Sequence, residues 1–209
     1  MLLESNTNML HQLSKFTKQK FILAFSSGVD SVAVADFYKR GNKDFALAYF
    51  NHSTPNANKM EEFTINFANK LGIKYYIGKI SRDKFKTESM EEYWRNERYN
   101  FLNSFNTPIV TCHHLDDAVE TWIFSCFHGN PKIIAPINQN IYRPFLLNKK
   151  EALINWAIQH NQTWIEDLSN KDIKFPRNRI RHNIVKEALQ VNPGLYKVIK
   201  KKIMNGYLT

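Results

Sequence analysis

A chain of 209 residues with 29 basic and 19 acidic side chains carries a net charge of +10, and its isoelectric point near 9.5 points to a polyanionic partner, nucleic acid first and an anionic membrane surface second. Hydrophobic residues form 43% of it, 15 Phe among them, enough for one α/β core of about 150 residues plus a smaller annex. Two cysteines are too few for a disulfide framework, no apolar run nears the roughly 20 residues of a membrane span, and the start M-L-L-E-S-N-T-N lacks a signal-peptide layout, so a reducing cytoplasm and no membrane partner are expected.

Along the chain, Lys20-Phe-Ile-Leu-Ala24 has the length and composition of a buried strand. Ser31 to Tyr38, apolar at Val32, Ala33, Val34, Ala35 and Phe37 and free of Gly and Pro, favours a helix. Between them lies Ser26-Ser27-Gly28-Val29-Asp30-Ser31. A strand that turns sharply into a helix aims unpaired N–H groups and the positive end of the helix dipole at one spot, which suits phosphate. The turn is neither a Walker A loop nor a dinucleotide fingerprint. Taken alone, it also reads as an ordinary serine-rich turn in which Asp30 only favours the first helical turn.

Phe45 to Phe50 reads as a second strand, and Asn58 with Glu61 as the polar start of a helix that Gly72 ends after Leu71. Lys74 to Ile80 is a third strand. Ser89 and Glu92 make a capping box for a helix through about Asn103, Pro108 to Thr111 a fourth strand, and Leu115 to Phe127 a helix. Such alternation implies a parallel sheet covered on both faces, with sites at the carboxyl ends of its strands.

If Cys112 to Phe127 is mostly helical, His113, Asp117 and Glu120 share one stripe, opposite Leu115, Val119, Trp122 and Cys126. Two carboxylates one turn apart beside an imidazole could hold Mg²⁺, or orient an amine nucleophile and accept its proton; they could also be a solvated polar face. Arg95 and Arg98, three apart on a helix, could aim guanidinium groups at phosphate or pair with Glu91, Glu92 or Glu97. Asn51-His52 at a strand end could line a nucleotide pocket or be structural. Asp167 to Asn170 suits a tight turn. Beyond it, Lys171, Lys174, Arg177, Arg179, Arg181, Lys186, Lys197, Lys200, Lys201 and Lys202 face only Asp172 and Glu187. Pro176 suits the first turn of a helix on which Arg177 and Arg181 share a face, so these groups could follow an RNA backbone or simply be solvated.

The turn resembles the S-G-G-x-D-S loop of the N-type ATP pyrophosphatases, the PP-loop superfamily, with Ser27 where most members have glycine. His113-His114-Leu-Asp116-Asp117-Ala-Val-Glu120-Thr121 is similar to the H-H-x-D-D-x-x-E-T motif of its tRNA-modifying branch. Arg143-Pro144-Phe-Leu-Leu, Trp164-Ile-Glu-Asp-Leu-Ser169-Asn170 and Phe175-Pro-Arg177-Asn178-Arg-Ile-Arg181 resemble blocks of the lysidine synthases, as do Asn51-His52 and Arg95-x-x-Arg98-Tyr99. The likeness runs from about Phe21 to Val185. It implies a Rossmann-like PP-loop domain over residues 1–145 and a basic helical extension over 146–209.

It also implies chemistry. The family uses ATP to adenylate the wobble cytidine of an isoleucine tRNA with a CAU anticodon, and free L-lysine then displaces AMP. By this resemblance Ser26, Ser27, Gly28, Val29, Asp30 and Ser31 bind ATP, and Asp30 helps hold Mg²⁺. Asp30, Arg95, Arg98, Asp117 and Glu120 are the catalytic candidates, and Asn51, His52, His113 and His114 line the pocket. Arg177, Arg179 and Arg181 contact tRNA. Three departures stand out: Ser27, a glycine-poor stretch after Phe127, and an end near Thr209 where family members carry further domains. A non-catalytic RNA-binding relative therefore stays open, as does a homodimer. The 2-thiocytidine family is the weaker rival, because its C-x-x-C pair is missing.

Overall fold

The computed structural model describes residue 10, residues 12–13, 20–167 and 172–208. Leu168, Ser169, Asn170 and Lys171, part of the expected tight turn and basic tail, lie outside the described residues. Four strands alternate with four helices: β1 (Phe21–Phe25), α1 (Val29–Arg40), β2 (Phe45–Asn51), α2 (Ala57–Leu71), β3 (Tyr75–Lys79), α3 (Met90–Asn103), β4 (Ile109–Val110) and α4 (Leu115–Phe127). A short hairpin, β5 (Ile137–Asn138) and β6 (Ile141–Tyr142), completes a sheet of order β3-β2-β1-β4-β6-β5. All its pairings are parallel except β5 with β6. This is the expected α/β, Rossmann-like class.

Alternation along β1 explains why both faces are covered. Phe21, Leu23 and Phe25 point into one core with Val32, Ala33, Val34 and Ala35 of α1, Phe67 of α2 and Leu153 of α5 (Lys150–Gln159). Ile22 points the other way, with Ala46, Ala48 and Leu102 of α3. A third cluster joins Leu115, Ala118, Val119 and Ile123 of α4 to Leu195, Ile199 and Ile203 of α8 (Leu195–Leu208), four residues apart on one helical face. Between α5 and α8 run α6 (Pro176–Arg179), a π-helical turn (Ile180–Ile184) and α7 (Val185–Val191). Pro176 occupies the first helical turn as expected.

Two local expectations change. Asn58 and Glu61 do not cap α2, which starts at Ala57 behind Asn56 without a side-chain cap. Both instead accept from the Asn51 amide at the end of β2, at 3.2 and 2.7 Å. Helix α4 starts at Leu115 with His114 as its cap, so His113 precedes the helix and does not share the stripe of Asp117 and Glu120. The Ser89 cap of α3 is present, accepting from the Glu92 N–H at 3.1 Å.

Candidate active site

The turn after β1 is braced from three sides. Ser31 Oγ accepts from the Ser26 N–H at 3.2 Å and donates to the Gly28 carbonyl at 3.0 Å, closing the loop on itself. Ser27 has φ of 60°, in the left-handed region that favours glycine. Its side chain is fully buried and turns away from the loop mouth. Ser27 Oγ donates to the Met60 carbonyl at 2.8 Å and lies 2.9 Å from Thr64 Oγ1, both on α2. Its carbonyl accepts from the Ile165 N–H at 2.9 Å. The hydroxyl thus finds partners that a bare methyl would not, and the departure from glycine is accommodated behind the loop.

Asp30, in the first turn of α1, meets the cap of α4. His114 Nε2 lies 3.7 Å from Asp30 Oδ2 and 3.5 Å from Asp117 Oδ2, and Lys150 Nζ lies 3.9 Å from Asp30. Burial alone would raise the Asp30 carboxyl, but the hydrogen bond and charge of His114, with Lys150 and Arg181, hold it below its ordinary value. Burial likewise opposes a charged His114, and Asp117, Asp30 and Asp116 outweigh it, so its pKa is raised. Asp30 Oδ1 is buried and has no hydrogen-bond partner. His114 Nδ1 accepts a long cap bond of 3.4 Å from the Asp117 N–H, while the Asp117 carboxylate accepts from the His114 N–H at 3.0 Å. His114 Nδ1 also lies 3.6 Å from Asp116 Oδ2, so a proton there has a carboxylate beside it in place of the long cap bond.

The acidic stripe of α4 is closed from outside by the tail. Arg181, in the π-helical turn, places Nε 2.9 Å from Glu120 Oε2 and Nη2 3.6 Å from Asp117. Arg177 reaches Glu120 at 3.7 Å and Glu91 at 2.6 Å. These two do share a face, and it points at carboxylates; Arg179 is the one of the three that is solvent-exposed. Glu120 is buried; burial raises its pKa, Arg181 works against the rise, and Asp117 adds to it. Asp116, to which sequence reasoning gave no role, ties the site together: its carboxylate accepts from the Lys150 N–H and from the Tyr196 hydroxyl, each at 2.7 Å.

A second group lies around α3 and the end of β6. The Arg95 and Arg98 guanidiniums sit 4.9 and 5.5 Å from the Tyr99 ring. Two of their three expected acidic neighbours are engaged elsewhere, Glu97 with Arg82 at 3.1 Å and Glu91 with Arg177. Arg143 is buried, donates to the Ala135 carbonyl at 2.8 Å and lies beside Tyr99. His113 turns to Thr111 Oγ1 at 2.8 Å; burial, with Arg143 and Arg98 nearby, lowers its pKa to about 4 against the pull of Asp117. His52 is lowered to about 4 by burial and Arg98; its ring lies beside Phe50 and Trp94. Asn51 serves the strand end, its side-chain carbonyl accepting from the Ser53 N–H at 2.8 Å. Lys150 and Arg143 were not among the expected site residues; only Arg143 had a sequence signal, the R-P block.

Similarity to known proteins follows this layout. The chain is 32% identical over 194 residues to a tRNA(Ile)-lysidine synthase of Persephonella marina, covering 84% of this chain and 43% of that one. It is 33% identical over 196 residues to the tRNA(Ile)-lysidine synthase of Wigglesworthia glossinidia brevipalpis, covering 80% and 48%. The chain spans about half the length of the curated relatives it matches. Among solved structures, a U34-tRNA thiolase from Methanococcus maripaludis aligns over 91% of this chain and 73% of its own, with a TM-score of 0.70 and 14% identity. An NH3-dependent NAD synthetase from Campylobacter jejuni aligns over 92% and 87%, with a TM-score of 0.52 and 15% identity; both are likenesses of fold. The PP-loop domain model matches residues 1–188, a span that holds the braced turn, the His114 cap and the acidic stripe, and the chain belongs to that family.

Proposed function

We propose that this chain carries the catalytic site of a tRNA(Ile)-lysidine synthase. The observation that carries the reading is the sharing of His114 by Asp30 of the turn and Asp117 of α4, at 3.7 and 3.5 Å, which joins a phosphate-suited loop to an acidic amine-suited stripe. The relatives at 32 and 33% identity support the same reading. ATP lays its pyrophosphate on the Ser26–Ser31 turn, where the first N–H groups of α1 have no intrahelical partner. The free, buried Asp30 Oδ1 suits Mg²⁺, which when bound neutralises phosphate charge. The remaining ligands of such an ion would be phosphate and water.

The cytidine 2-oxygen attacks the α-phosphorus and pyrophosphate leaves. The lysine ε-amine then adds at C2, the bond to the adenylate oxygen breaks, and AMP departs. Glu120, raised in pKa by burial, accepts the amine proton, and Asp117 orients the amine. Arg181 occupies the acidic stripe in the structure described, so an incoming lysine ammonium competes with a guanidinium for the same oxygens. Transfer of isotope-labelled lysine to a CAU-anticodon isoleucine tRNA, dependent on ATP, is the expected result. Absence of transfer with tRNA binding intact overturns the synthase reading.

A further inference from the structure

Arg95, Arg98 and Arg143 converge on Tyr99 and, among the described residues, none of them is paired with a carboxylate. Arg143 comes from the end of β6 and is 7% exposed, with Nε buried and without an acceptor. Arg95 is solvent-exposed, so the cost falls on half-buried Arg98 and buried Arg143: their like charges repel, and a buried donor without an acceptor forfeits a hydrogen bond. Elsewhere in the molecule the inward-facing arginines have been neutralised, Arg82 by Glu88 and Glu97, Arg177 and Arg181 by Glu120. The exception needs an anion from outside. His113 and His52 border the group, and burial first, with these arginines beside it, lowers both imidazoles. His52 follows β2 and His113 follows β4, the two strands that flank β1, so the cluster stands beside the loop turn, whose Asp30 has its own partners in Lys150 and His114.

We propose that Arg95, Arg98 and Arg143 form a second anion site, beside the ATP loop, that grips a phosphodiester of the RNA next to the target base. The site rests on the reading of the substrate as RNA. A guanidinium fork fits a phosphate with two parallel hydrogen bonds, and Arg95 and Arg98 both lie within cation–π distance of the Tyr99 ring. Trp94, beside His52, offers an aromatic face to a base lifted out of its stack. Grip on the neighbouring phosphate fixes the position of the extruded base before ATP chemistry begins.

The test uses the full chain and an isolated anticodon stem-loop. Phosphates flanking the target cytidine are replaced one at a time by uncharged methylphosphonates, and affinity is read by fluorescence anisotropy. One replacement is expected to weaken binding by about fivefold or more, and Arg98→Gln is expected to remove that penalty while weakening the native stem-loop by a similar factor. Arg143→Lys, which keeps the charge but not the fork, should weaken binding less than Arg98→Gln. Indifference to every replacement, or a penalty that persists in Arg98→Gln, overturns the site. Loss of ATP affinity in Arg98→Gln with stem-loop affinity intact also overturns it, by giving the guanidiniums to the nucleotide. No stem-loop binding by the unaltered chain removes the RNA reading itself, a distinct result from binding that ignores these residues.

Discussion

Ser27 is where one atom decides a local outcome. Its backbone holds a glycine-like φ of 60°, and its hydroxyl is satisfied by Met60 and Thr64. Ser27→Gly relieves the backbone strain as it loses the hydrogen bonds, so urea unfolding should place it within about 1 kcal/mol of the parent. Ser27→Ala keeps the strain and leaves Thr64 one partner short, and should cost about 1–3 kcal/mol. Equal losses in both variants would mean that the left-handed backbone stores no strain, and an unchanged stability of Ser27→Ala would mean that the hydroxyl carries nothing. Asp30→Ala should abolish pyrophosphate release, and unchanged release would remove the turn from the chemistry.

His114 and Asp30 also set a pH window. A raised His114 pKa means that the folded chain holds this proton more tightly, so its stabilisation is complete below about 6.5 and is lost as pH rises through the folded value. The lowered Asp30 acts at the other end: its contribution is present above about 3.8 and is lost as pH falls through the folded value. His114→Asn keeps a capping side chain and removes the charge. Its stability deficit against the parent should be largest near pH 6 and shrink toward pH 9 in denaturation series; a constant deficit would show that the charge is irrelevant. His52, lowered to about 4 without help from His114, weakens both proteins equally as pH falls below about 6.5 and cancels in the difference; His113 does not, because His114 is one of the charges that lower it, and its effect is confined below the same pH.

Elements with strong periodicity were legible from the sequence, and their joints were not. Leu115 to Phe127 reads as a helix because its apolar face repeats, and the structure agrees at both ends. The position of His113 outside it depends on where the chain leaves β4, which no local pattern records. Asn58 and Glu61 form a capping signature, yet the Asn51 amide across the turn claims both, a tertiary partner overriding a local one. The two-residue strands β5 and β6 are too short to show alternation. At β3, Gly78 owes its identity to a neighbour invisible in the sequence: a Cβ there would lie 2.6 Å from the Phe101 ring of α3. Gly78→Ala should cost about 1–3 kcal/mol by overpacking, measured by thermal or urea unfolding, and Phe101→Leu should recover part of it.

Over the whole molecule, the excess positive charge divides into committed and free groups. Arg177 and Arg181, expected on RNA, point into the acidic stripe, whereas Lys197, Lys200 and Lys201 line the solvent side of α8, opposite Leu195, Ile199 and Ile203, with exposed Lys202 at the edge of that apolar stripe. The tail's charge was plain from composition; its split required knowing where Glu120 sits. Replacing Lys197, Lys200 and Lys201 by Gln should reduce the steepness of the salt dependence of tRNA affinity by about two to three ions. An unchanged slope would take this helix off the RNA.

Phe145 and Leu146 are adjacent and both fully buried, yet one packs with α1 and α5 and the other with α4 and α8. One peptide bond therefore stitches two cores. Anyone building a chimera from two relatives would find no seam here: a crossover at residue 145 transplants half of each core and calls for both to be repacked together. The seam lies instead between whole chains, which inherit the ATP-suited turn and the helices that close its neighbour as one unit.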